Sequence, residues 1–122
     1  MEVFDPNIPL YQQIVTILKK KIVSEIHEPG TKLPSIRELA LQYQVTPNTI
    51  QRALQILEDE KLIYTERTNG KYVTSDETLI RTLREDILRT NVRTLLQDLF
   101  QHGYTQQEIH NALEKEMMNY GR

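Results

Sequence analysis

Asn48, Thr49, Gln51, Arg52 and Gln55 crowd into the stretch "VTPNTIQRALQ", with Thr46 and Pro47 just ahead of them. Their chemistry is hydrogen bonding rather than proton transfer or nucleophilic attack. Asn and Gln pair bidentately with adenine, Arg does so with guanine, and Thr meets a phosphate or the methyl of thymine. If the stretch is helical, turning by about 100° per residue, Ala53, Leu54 and Leu57 stay within roughly 60° of Ile50. Asn48, Arg52 and Gln55 then fall on the opposite side, with Thr49 and Gln51 on its flanks. Spare N–H groups at a helix start add a further attraction for phosphate. A solvated helix face explains the same pattern, so the surrounding elements decide.

Thr46 is a suitable helix cap, and Pro47 fits the first helical position, where its missing N–H is not needed. Upstream, Ser35 followed by Glu38 predicts a capping box, and Ile36, Leu39, Ala40 and Tyr43 form one apolar stripe. Only Gln44 and Val45 separate these two helices. A first amphipathic helix is predicted over residues 9–26 from Leu10, Ile14, Ile17, Leu18, Ile22 and Ile26, ended by Pro29-Gly30. Residues 62–65 and 71–74 are β-prone runs around the turn signal Arg67-Thr68-Asn69-Gly70, predicting a hairpin. From Asp76 a long helix carries a broad apolar band as far as Gly103. A last helix, capped by Thr105 with Glu108, sets Ile109, Ala112, Leu113, Met117 and Tyr120 on one side. The expected fold is mainly α with a small β-hairpin: a winged helix-turn-helix over residues 1–75, followed by a two-helix tail over 76–122.

The 122 residues suffice for one module with an appendage. No cysteine is present, which removes disulfides and thiol chemistry, and no apolar leader or membrane span is legible, so cytoplasm is the expected compartment. The net charge of -2 argues against phosphate binding until it is divided. Residues 1–75 hold nine Lys plus Arg against nine Asp plus Glu, whereas the tail holds six against eight. Lys32, Arg37 and Arg52 near the central helices, with Arg67 and Lys71 on the hairpin, leave room for a modest basic face. Lys19, Lys20 and Lys21 read as a solvated run.

His27, His102 and His110 are scattered, no phosphate loop occurs, and no nucleophile, base and orienter set is found. An enzyme is therefore not expected, nor a cofactor or metal. Tyr43 and Tyr120 fall on apolar stripes, and packing accounts for them and for Tyr11.

Two helices with so wide an apolar band cannot bury it alone. Pairing with a second copy through Leu83, Ile87, Val92, Leu95, Leu96, Leu99, Ile109, Leu113 and Met117 is the expected remedy; folding back onto the first domain is the alternative. A symmetric dimer would set two recognition helices about 34 Å apart, one turn of DNA.

The segments "IPLYQQI", "PGTKLPSIRELA", "VTPNTIQRALQILEDEKLI" and "RTNGKYV" resemble the GntR family of bacterial winged-helix transcription regulators over residues 8–73. The Pro-Asn-Thr order and the short tail look most similar to its YtrA-like subfamily. The resemblance implies a homodimeric repressor of an inverted-repeat operator in double-stranded DNA, often that of an ABC-type transporter operon. It also implies that Arg37, Thr46, Asn48 and Thr49 contact DNA and that Gly70 is the wing-tip glycine. Pro47 and Gln51 stand where many members carry arginine, so their base preferences do not transfer; Arg52 is the expected substitute reader. The candidate DNA-binding set is thus Arg37, Thr46, Asn48, Thr49, Gln51, Arg52, Arg67, Gly70 and Lys71. A winged-helix module that meets a protein instead of DNA is the competing expectation, and no motif names a small-molecule effector.

Overall fold

A computed structural model describes residues 3–121. Five helices and two strands follow in the order α1 (Leu10–Val23), α2 (Ile36–Tyr43), α3 (Pro47–Asp59), β1 (Ile63–Glu66), β2 (Gly70–Val73), α4 (Glu77–Gln101) and α5 (Gln106–Asn119). This is the expected mainly helical fold with its hairpin. The chain forms two compact units, the first ending at Arg84 and the second starting at Glu85.

In the first unit α3 packs on α1, α2 and β1. Ile14, Leu18, Ile22, Leu39, Ile50, Leu54 and Leu57 supply the three helices' share of the core and Leu62, Ile63 and Val73 the hairpin's, each almost wholly buried. Each such side chain contributes about 1.5–3 kcal/mol on burial. The capping box is present: Ser35 Oγ accepts from Glu38 N at 3.1 Å, and Glu38 Oε1 accepts from Ser35 N at 2.9 Å. Thr46 caps α3, accepting from Thr49 N at 3.3 Å, with Pro47 at the first helical position. Between α2 and α3 the chain turns at Gln44, whose φ of 56° is left-handed.

The strands pair antiparallel from Ile63↔Val73 to Glu66↔Gly70, one residue later in β1 and one earlier in β2 than the β-prone runs suggest. Leu62 and Thr74 still join, Thr74 N donating to Leu62 O at 2.9 Å. Gly70 sits at φ +103°, and a Cβ there would lie 3.2 Å from Lys32 Cε. The positive φ favours glycine, and the Lys32 side chain would have to shift only slightly for a larger residue.

Two expectations are corrected. Helix α1 stops at Val23 instead of Ile26, because Glu25 turns left-handed at φ 63° and His27 N closes back on Lys21 O at 3.0 Å. Ile26 consequently leaves the apolar stripe and is 67% exposed. Tyr120 lies past the end of α5 in extended backbone, exposed rather than on the stripe.

Helix α4 starts behind Asp76, whose Oδ1 accepts from Leu79 N at 3.1 Å. Its first turns belong to the first unit: Ile80 joins the core, Leu79 and Leu83 pack against it, and Arg84 Nη1 donates to Val23 O at 2.8 Å. The compact unit extends to Arg84, whereas the sequence suggests a winged helix-turn-helix over residues 1–75. Within the second unit a reciprocal capping box, Thr105 with Glu108, starts α5. Among its described residues only Ile109 is buried.

Candidate nucleic-acid interface

Helix α3 differs sharply between its two ends. Near its start Asn48, Gln51 and Arg52 are exposed, and Arg37 is exposed on α2. None of the four forms a hydrogen bond or ion pair among the described residues. Their donors and acceptors are free for a ligand. At the C-terminal end every acid is engaged. Glu58 pairs with Lys71 at 3.4 Å and accepts from Thr65 Oγ1, Asp59 accepts from Gln55 Nε2 at 3.0 Å, and Glu60 pairs with Lys19 at 2.8 Å. The two lysines offset the charge of Glu58 and Glu60, which opposes the helix dipole and would repel phosphate, while Asp59 is hydrogen-bonded but keeps its charge.

The threonines split their work. Thr46 and Thr49 hydroxyls lie 3.0 Å apart and hold the first turn together, Thr46 exposed and Thr49 half-buried. Each hydroxyl retains capacity for at least one more partner. Gln55, which the helical arithmetic places with the outward polar set, is tied to Asp59.

On the wing, Arg67 is exposed in the turn between β1 and β2 and is unpaired among the described residues. Lys71 is not: its Nζ sits 2.8 Å from Thr65 Oγ1 and faces Glu58, tying the hairpin to α3. The structure thus gives Lys71 an internal partner and Arg67 none. Lys32, whose Cε rests on Gly70, forms a bridge with Tyr72 that adds a third backbone segment beside the wing.

The lysine run at the end of α1 is largely committed inside the unit. Lys19 meets Glu60, and Lys21 donates to Tyr43 Oη at 2.6 Å while lying over that ring at 5.0 Å. Only Lys20 of the three is without a side-chain partner among the described residues. Nearby, burial and the Lys21 charge hold the His27 imidazole below its usual pKa, and its buried Nε2 has no hydrogen-bond partner. The Glu38 carboxyl is held below the ordinary carboxylate range, first by the Ser35 N–H, then by the Ser35 hydroxyl, with a smaller contribution from Lys32.

One pairing in this region has no local sequence signal. Tyr11 on α1 lies under Arg52, the guanidinium carbon 3.8 Å from the ring centroid. Forty-one positions separate them, so no periodicity links the pair.

In the second unit Leu95, Leu99, Tyr104, Ile109 and Leu113 line an open groove of about 940 Å³. Of the positions expected to pair copies, Val92, Leu95, Leu113 and Met117 are exposed at 41–75%, whereas Ile87, Leu96 and Leu99 are half-buried. Ile109 is covered, and Leu83 packs on the core of the first unit. Among the described residues no grouping of His, Asp and Glu suits a metal ion, and no helix is long and apolar enough to cross a membrane.

A capped helix pair on a tight turn, a second helix with free polar side chains at its front and a two-stranded wing define a winged helix-turn-helix, the class that lays its second helix in the major groove. Residues 10–73 match the family model of bacterial regulatory proteins of the gntR family. The HTH-type transcriptional repressor YtrA of Bacillus subtilis is 31% identical over 108 residues, 88% of this chain and 83% of that protein. Among solved structures, a GntR family transcriptional regulator from Listeria monocytogenes superposes with a TM-score of 0.86 at 38% identity, covering 92% of this chain and 98% of its own. The DNA-binding domain of AraR in complex with operator ORX1 is similar over 61% of this chain and 90% of its own, at 25% identity and a TM-score of 0.54. The chain belongs to the GntR family and is a DNA-binding transcription regulator.

Proposed function

We propose that the chain is a homodimeric repressor that binds an inverted-repeat operator, with α3 in the major groove, the wing along the flanking backbone and the second unit as dimeriser. The observation that carries the reading is the division of α3: Asn48, Gln51 and Arg52 keep their hydrogen-bonding groups free at its front, while behind them Glu58 and Glu60 are paired with lysines and Asp59 accepts from Gln55. Arg37, Thr46, Asn48, Thr49, Gln51 and Arg52 form the reading surface, and Arg67 and the backbone at Gly70 meet phosphate. Similarity to a protein named as a repressor and to a domain solved on an operator supports this assignment. The uncovered apolar face of α4 and α5 supports a second copy as partner. YtrA-like resemblance extends the proposal to the operon of an ABC-type transporter.

The test is selection from a randomised duplex library with the full chain, followed by anisotropy titration of the winning duplex and a scrambled control at two salt concentrations. An inverted repeat bound far more tightly than the control is expected. Arg37→Ala and Arg52→Ala should each cost about 1–3 kcal/mol of that affinity with the fold preserved. Unchanged binding in both variants would show that this surface does not read DNA.

A further inference from the structure

We infer that Tyr11 is a positioning residue that holds Arg52 to read one guanine in each half-site. The inference rests on the proposal that α3 reads DNA. Arg52 is exposed on α3 one turn beyond Asn48, yet its guanidinium carbon lies over the Tyr11 ring, 3.8 Å from the centroid. An arginine at a protein surface ordinarily samples many rotamers and loses that freedom when it binds. Stacking on the flat face of tyrosine fixes the guanidinium plane and leaves the N–H edge unobstructed. That edge has no hydrogen-bond or salt-bridge partner among the described residues. A planar fork held at the front of a major-groove helix matches the O6 and N7 acceptors of guanine, which arginine meets bidentately. Tyr11 is itself half-buried on α1, with its hydroxyl accepting from Gln12 Nε2 at 3.3 Å. Since α1 is anchored in the core through Ile14 and Leu18, the ring is a fixed support for the arginine.

Lysine cannot replace Arg52 in this arrangement: it keeps the charge and loses the fork. Phenylalanine can replace Tyr11, because the stacking face survives and only the hydroxyl is lost.

The experiment measures the affinity of the full chain for its selected duplex and for a set in which each base pair of the half-site is replaced in turn. Wild-type protein should reject replacement of one G·C pair by about 10- to 100-fold. Arg52→Lys should abolish that rejection alone. Tyr11→Leu should lessen it by about two- to five-fold, the strength of an exposed cation–π contact, while affinity for the duplex already lacking that pair stays unchanged. Tyr11→Phe should behave as wild type. A Tyr11→Leu protein that loses affinity equally for all duplexes, or that discriminates normally, overturns the positioning role. An Arg52→Lys protein with intact discrimination would instead remove Arg52 from the proposed reading surface. Nuclear magnetic resonance of the unmodified chain supplies an independent readout: the Arg52 side-chain protons should show an upfield ring-current shift that persists on the selected duplex. Loss of that shift on DNA binding would show that Arg52 leaves Tyr11 to make its contact, contrary to the inference.

Discussion

In the first unit Ile14, Leu18, Ile50, Leu54 and Leu57 are sealed from water, and Arg37, Asn48, Gln51 and Arg67 are exposed with no hydrogen-bond or ion-pair partner among the described residues, although Ile26 and Leu41 are exposed as well. The second unit is arranged the other way, with Leu88, Val92, Leu95, Leu113 and Met117 exposed at 41–75% and Ile109 alone buried among its described residues. Free polar groups of fixed geometry discriminate between hydrogen-bonding partners, because an unmatched buried donor or acceptor is costly. Free apolar surface does not discriminate in that way; it calls for any complementary apolar surface. On the proposed reading one unit chooses and the other associates.

The contrast is broken most severely from inside the first unit. Leu54→Ala, which empties a fully enclosed site on α3, should lower stability by about 2–5 kcal/mol in chemical denaturation. A loss below 1 kcal/mol would mean that the core beneath the reading face is far looser than its burial indicates. Replacing Val92 and Leu95 together by glutamate places charge on the exposed band of α4. Dimer association in sedimentation equilibrium should weaken by roughly 2 kcal/mol or more, with the first unit still folded. An unaltered association constant would move the copy interface away from that band.

A finer comparison sets two wing cations against each other. Arg67→Ala should weaken binding to selected and scrambled duplexes alike and lower the salt slope by about one. Lys71→Met should leave the slope as it was, because the ammonium already faces Glu58 and Thr65. Equal slope losses would erase the distinction between free and committed cations.

The smallest effects are pH-dependent. His27 has a folded pKa below its usual 6.5, so its contribution is present above that value and lost as pH falls from it through the folded value. Glu38 behaves likewise one window lower, its contribution present above 4.5 and lost as pH falls through its depressed folded value. In urea titrations across pH, His27→Gln should flatten the stability slope just below pH 6.5 and Glu38→Gln the slope below pH 4.5. Unchanged slopes in both variants would contradict the local environments described for them.

Legibility in the sequence followed the range of the interactions. The Ser35–Glu38 and Thr105–Glu108 capping boxes and the Thr46 cap with Pro47 behind it are features within one turn, and each stands in the structure where spacing places it. The apolar stripe of α3 was equally legible because burial there repeats with the helical period. The end of α1 was not, since a left-handed Glu25 is set by backbone closure instead of by a glycine signal. Nor could composition reveal that Lys19, Lys21 and Lys71 are engaged while Arg67 is free, for their partners lie on other elements. The stack of Tyr11 with Arg52 depends on the crossing of α1 and α3, and Tyr11 by itself reads as packing.

The central claim, that one unit chooses DNA and the other joins copies, is tested most directly by sedimentation of the full chain with its selected duplex. Two chains should bind each duplex, on half-sites centred about 34 Å apart as one helical turn requires. A complex of a single chain on an asymmetric site, or two chains that dissociate freely from one another while each stays bound, would contradict it.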